Sequence, residues 1–112
     1  MPATHSHSAP VALAAMLAVL LFGPTAPASA KEMHVSISNF TFEPQTTTIA
    51  RGETVRFVNS DDMVHTIVAA DGSFRSNALD TGDSFAKTFT KPGTYAYFCG
   101  LHPFMKGTII VK

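Results

Sequence analysis

From residue 31 onward the chain is a series of short runs in which apolar and polar residues alternate, punctuated by Gly, Pro and Asp. A period of two belongs to strands that bury one face and show the other to water. Residues 33–38 put Val35 and Ile37 on one face against His34, Ser36 and Ser38. Residues 54–59 put Val55, Phe57 and Asn59 together, and residues 94–99 do the same for Tyr95, Tyr97 and Cys99. Between the first two runs, residues 40–44 lead into 46–50, and Arg51-Gly52 turns the chain.

Other stretches carry a less regular pattern. Residues 64–70 are apolar enough for a buried strand, with His65, Ile67 and Ala69 on one side. Residues 71–83 read as a polar, turn-rich connection holding one helical turn over 74–79. Residues 84–90 form a strand with a flaw, because Phe85, Lys87 and Phe89 fall on one face. Either a bulge intervenes or Lys87 extends its stem along the apolar surface to reach water. Pro92-Gly93 turns into the run ending at Cys99, and residues 107–111 close the chain as a buried apolar strand. Many short strands separated by turn residues predict an all-β sandwich or barrel.

The first thirty residues follow a different pattern. Residues 11–22 are unbroken apolar, Gly23-Pro24 follows, and Ala28-Ser29-Ala30 offers a small-residue cleavage site. That run suits an export signal and is shorter than the ~20 residues a spanning helix needs. The expectation is cleavage before Lys31, giving a signal peptide over 1–30 and one domain over 31–112, exported and periplasmic in a bacterium. All eight basic and all eight acidic side chains lie after residue 30, so that domain is formally neutral. Neutrality without a basic patch argues against nucleic-acid binding and against a membrane-surface role.

The chain has one cysteine. An unpaired thiol in an exported protein is a buried inert side chain, a dimerising group or a metal ligand. Its neighbours decide. The segment Phe98-Cys-Gly-Leu-His-Pro-Phe-Met105 places Cys99, His102 and Met105 on one short loop, and His65 ends Asn59-Ser-Asp-Asp-Met-Val-His65 upstream. A lone His, Met or Cys is ordinarily packing. Together they match the ligand list of a blue-copper electron-transfer site: two imidazoles and a thiolate, with a weak axial thioether. His65, Cys99 and Asn59 all lie on the apolar face of their runs, where polar groups are costly unless paired or metal-bound. Pro103 fixes one backbone angle directly after His102.

The loop Cys99-x2-His102-x2-Met105, with Gly93-Thr-Tyr95 before it and Asn59 six positions ahead of His65, resembles the cupredoxin family of small blue-copper proteins. Within that family the loop is most similar to the amicyanin type, although Gly100-Leu101 replaces Thr-Pro and so implies a looser loop. The resemblance implies a Greek-key β-sandwich with one type 1 copper at one end. It implies His65, Cys99 and His102 as the strong ligands and Met105 as the weak axial one. It also implies that Asn59 braces the ligand loop near the thiolate. Finally, it implies an apolar patch of Met63, Leu101, Pro103 and Phe104 around the outer edge of His102, where redox donors and acceptors dock briefly on a monomer.

The function so implied is that of a one-electron carrier, not an enzyme. A copper-binding module for storage, delivery or sensing is the alternative with the same ligands. An oxidase or nitrite reductase needs further copper centres, and after residue 30 only His34 is unassigned. Structural zinc prefers a fourth ligand stronger than a thioether.

Overall fold

Residues 31–112 are described by a computed structural model; the expected signal segment 1–30 lies outside them. Eight strands form in chain order: β1 (Glu32–Ser38), β2 (Thr41–Glu43), β3 (Thr46–Ile49), β4 (Thr54–Asn59), β5 (Val68–Ala69), β6 (Ser84–Thr88), β7 (Gly93–Phe98) and β8 (Lys106–Val111). They build two four-stranded sheets, ordered β2-β1-β4-β6 and β3-β8-β7-β5. The pairs β1·β4 and β3·β8 are parallel and the rest antiparallel.

The alternation read from the sequence accounts for the sandwich. Val35, Ile37, Val55 and Phe57 point inward from the first sheet, and Tyr97, Ile109 and Val111 from the second. The Tyr97 ring joins the layers, edge-on to Phe42 at 4.8 Å and Phe57 at 5.2 Å between centroids. Such aromatic contacts add about 0.5–1.5 kcal/mol each beyond the area they bury. Two residues earlier, the Tyr95 hydroxyl donates to the Lys91 carbonyl at 2.7 Å and pins the turn that launches β7. A tyrosine tied back to backbone a few residues upstream is a recurrent corner device of β-sandwiches.

Two expectations are corrected. The predicted strand over 64–70 shrinks to β5, and the helical turn over 74–79 is absent, since no helix forms among the described residues. The two stretches instead run antiparallel through isolated bridges, His65 with Leu79 and Val68 with Arg75. Ser76 completes the ribbon, its N–H donating to Ile67 O and its hydroxyl accepting from Ile67 N–H, both at 2.8 Å. Backbone pairing between the stretches satisfies donors that a lone turn would leave to water.

The flaw in β6 resolves without a bulge. Its register with β4 is continuous from Thr54↔Thr88 to Val58↔Ser84. Lys87 is half-buried on this edge strand, beside half-buried Phe85.

The sandwich matters to function through one end. There β4 finishes at buried Asn59, β7 finishes just before buried Cys99, and the 60–67 and 99–105 loops meet over the core.

Candidate metal centre

Cys99 leaves β7 on its inward face and is fully buried. The loop after it is closed by three backbone bonds. The N–H of Cys99 donates to Met105 O at 3.1 Å, that of His102 to Cys99 O at 3.2 Å, and that of Met105 to His102 O at 2.9 Å. Seven residues therefore wind back on themselves, and Met105, itself buried, is returned beside the strand that carries Cys99. Gly100 lies flat on the neighbouring 65–68 segment, its N–H donating to Thr66 Oγ1 at 2.8 Å. A Cβ there would stand 2.8 Å from that oxygen, so the glycine serves close approach.

His65 arrives from the loop between β4 and β5, not from a full strand, and is fully buried. Its backbone is fixed by reciprocal bonds with Leu79, N–H to O at 3.1 Å and the return at 2.8 Å. Asn59 braces the approach: its amide donates to Met63 O and Leu79 O, both at 2.8 Å, and its oxygen accepts from Asp61 N–H at 2.9 Å. The sequence reading put Asn59 near the thiolate. The N–H of Thr66 faces Cys99 Sγ at 3.4 Å.

Three donor atoms converge. Cys99 Sγ lies 3.6 Å from His65 Nδ1 and 3.6 Å from His102 Nδ1, and the two nitrogens are 3.2 Å apart. One point in the plane of that triangle lies about 2 Å from all three atoms, the span of a transition-metal–nitrogen bond and slightly short of a metal–thiolate bond. A soft thiolate, two imidazoles and a nearby thioether are a copper-type donor set. Among the described residues this is the cluster of His, Cys and carboxylate groups close enough to hold an ion.

Three residues that the sequence reading passed over complete the surroundings. Thr66 supplies the N–H toward sulfur. Asp61 accepts from His65 Nε2 at 2.9 Å, which leaves Nδ1 free to face the triangle. Phe40 lies edge-on to both imidazoles, 5.3 Å from His65 and 5.0 Å from His102 between centroids. Asn39 and Phe40 both adopt φ of 55°. For a bulky residue such a backbone costs about 1–3 kcal/mol and persists only where the surroundings enforce it. Here the enforcing group is Asp61, which accepts N–H bonds from Asn39 at 3.2 Å and Phe40 at 3.0 Å. The Phe40 N–H, then the His65 ring, hold the Asp61 carboxyl below the usual carboxylate range. An aspartate four positions before the histidine was the one available signal; nothing local marked Phe40.

His102 is half-buried with the Phe104 ring 6.2 Å away, and Met63, Leu101 and Phe104 are 48%, 52% and 70% exposed, as is Pro103 in the same loop as His102.

A two-sheet sandwich with a buried His-Cys-His triangle and a methionine at one end defines the class of type 1 copper proteins. The chain belongs to the cupredoxin family: the profile described as a Cupredoxin-like domain matches residues 11–111. Amicyanin of Paracoccus versutus is 35% identical over 83 residues, covering 70% of this chain and 63% of that protein. Its crystal structure superposes with a TM-score of 0.67 over 78% of this chain and 85% of that one. Plastocyanin of Scenedesmus fuscus is 39% identical over 84 residues, covering 63% of this chain and 86% of that protein. A purple cupredoxin from Nitrosopumilus maritimus, 30% identical, superposes with a TM-score of 0.68 over 71% of this chain and 99% of that one. The chain spans 63% of the length of the two Paracoccus amicyanins it matches.

Proposed function

We propose that this protein is an exported blue-copper protein that carries single electrons between redox proteins and is not itself an enzyme. The observation that carries the reading is the donor triangle with its 3.6, 3.6 and 3.2 Å sides, buried beneath a half-exposed histidine. His65, Cys99 and His102 hold the metal strongly and Met105 holds it weakly. Copper supplies the Cu(II)/Cu(I) couple when bound. The chain's part is to keep the donors fixed, so that little moves when the charge changes, and to exclude water: Asn59 braces the 60–65 loop, and Thr66 orients the sulfur. His102 carries the exposed edge through which a partner couples, within the apolar patch of Met63, Leu101, Pro103 and Phe104. Small apolar contacts suit brief redox encounters. The family relatives named amicyanin and plastocyanin are electron carriers, which supports this reading over copper storage or delivery.

Residues 1–30 direct export and are removed before Lys31, and the 31–112 domain works as a monomer, in the periplasm of a bacterium. No helix among the described residues is long and apolar enough to cross a membrane.

The test is addition of Cu(II) to the purified exported form. An intense blue or violet thiolate charge-transfer band with reversible one-electron voltammetry is the expected result. A colourless complex, or a coloured one that cannot cycle, overturns the carrier reading. N-terminal sequencing of the secreted protein checks the start at Lys31.

A further inference from the structure

We infer that Asp61 is a positioning residue for the metal centre: its one carboxylate fixes the tautomer of His65 and, through the 39–40 turn, lays the Phe40 ring across both imidazoles. The inference rests on the reading that His65 and His102 hold the metal. Asp61 Oδ2 accepts from His65 Nε2 at 2.9 Å and from Phe40 N–H at 3.0 Å, while Oδ1 accepts from Asn39 N–H at 3.2 Å. The carboxylate is itself anchored. The Asp61 N–H donates to Asn59 Oδ1 at 2.9 Å, and its carbonyl accepts from Thr81 Oγ1 at 2.6 Å.

An ionised carboxylate only accepts hydrogen bonds, so the proton of neutral His65 is held on Nε2. The lone pair of Nδ1 then points at the triangle before any metal arrives. His102 has no comparable partner: its second ring nitrogen makes no hydrogen bond among the described residues. Its orientation rests on ring packing, with Phe40 at 5.0 Å and 85° and Phe104 at 6.2 Å and 66°. Asp61 holds the left-handed turn beneath Phe40, whose ring also lies 6.3 Å from Phe104. One side chain thus presets two ligands more than thirty residues apart, the first by a hydrogen bond and the second by a ring laid against it. A negative charge one imidazole away from the ion also favours its more positive state.

The experiment combines two readouts on Asp61→Asn, Asp61→Ala and Phe40→Leu. Long-range 15N–1H spectra of the metal-free protein at pH ~8, where imidazole is neutral, report the His65 tautomer. Nε2–H is expected in the wild type and in Asp61→Asn, whose remaining oxygen still accepts, and a mixture of tautomers in Asp61→Ala. Phe40→Leu should keep the His65 tautomer and broaden the His102 ring signals. Voltammetry of the copper forms gives the second readout. Both Asp61 variants should lose about tenfold in preference for Cu(II) over Cu(I), typical of removing a partner behind a ligand; for one electron that is ~59 mV upward. A folded Asp61→Ala protein with pure Nε2–H and an unmoved potential overturns the inference. Should Asp61→Ala fail to fold, an unmoved potential in Asp61→Asn does so. The tautomer is read without copper, so a wild type that never turns blue sinks the carrier reading alone.

Discussion

The ring of Tyr97 lies directly on Gly107 of the paired strand, where a Cβ would stand 2.3 Å from both Cζ and the hydroxyl oxygen. Phe42 and Phe57 pack edge-on against the same ring, so it has no room to retreat. Gly107→Ala is therefore expected to destabilise by about 1–3 kcal/mol, as overpacking does. In a domain of this size each kcal/mol lowers the melting temperature by roughly 4–8 °C. Because Tyr97 lies two residues before Cys99, the copper–thiolate absorption should shift as well; thermal unfolding and the visible spectrum check both.

The same ring carries a hydroxyl that is buried without a partner among the described residues, and burial raises the phenol above its usual range. An unsatisfied buried polar group is a cost, not a support. Tyr97→Phe is expected to leave stability unchanged or raise it by up to about 1 kcal/mol. A clear loss in denaturant melts would show that the oxygen has a partner after all.

Asn59 makes two donor bonds and one acceptor bond while fully buried. Asn59→Ala takes the partner from the Met63 carbonyl and from the Asp61 N–H, while Leu79 O keeps the His65 N–H, and about 1–3 kcal/mol should be lost for groups left unsatisfied. Asn59→Asp should be worse, because a carboxylate would face two carbonyl oxygens with nothing to donate. Chemical denaturation of the three proteins side by side gives the order.

Phe104 and Leu101 are open to solvent around His102 and add little to the core. Replacing either with Lys should change stability by no more than about 0.5 kcal/mol. Electron self-exchange between two copies, read from NMR line broadening, should slow about tenfold or more, because like charges then meet at the contact. The potential should hardly move. An unchanged exchange rate would place the docking face elsewhere.

Acid should weaken the metal-free fold through Asp61. Its folded pKa is lowered, chiefly by the N–H of Phe40, so the unfolded chain binds its proton more readily. The stabilisation is present above the ordinary aspartate value of ~3.9 and is lost as pH falls through the lower folded value. Asp61→Asn should make the stability curve flatter below pH ~4. An acid limb as steep as that of the wild type would assign the loss to other carboxylates.

How much of this was legible beforehand differs by element. The alternation in 33–38, 54–59 and 94–99 matches β1, β4 and β7, and the apolar run 107–111 matches β8, to within a residue at either end. Those strands each bury one face, so solvent exposure is written directly into their period. The 64–79 region was misread because its apolar spacing fits a strand, while its backbone pairing is made across a hairpin-like ribbon of isolated bridges. Periodicity records faces and says nothing of partners.

The sequence by itself determined the chemistry on offer: one thiol, an imidazole and a thioether at fixed short spacing, on a chain patterned for two sheets. That much is local, because donor type and strand face are properties of neighbouring residues. Tertiary structure alone decided that His65 would meet Cys99 across 34 positions, that Thr66 would supply the N–H toward sulfur, and that Asp61 would hold both a histidine and the Phe40 turn. The physical reason is that a hydrogen bond depends on distance and direction between segments remote in sequence, and those are set only once both sheets have packed.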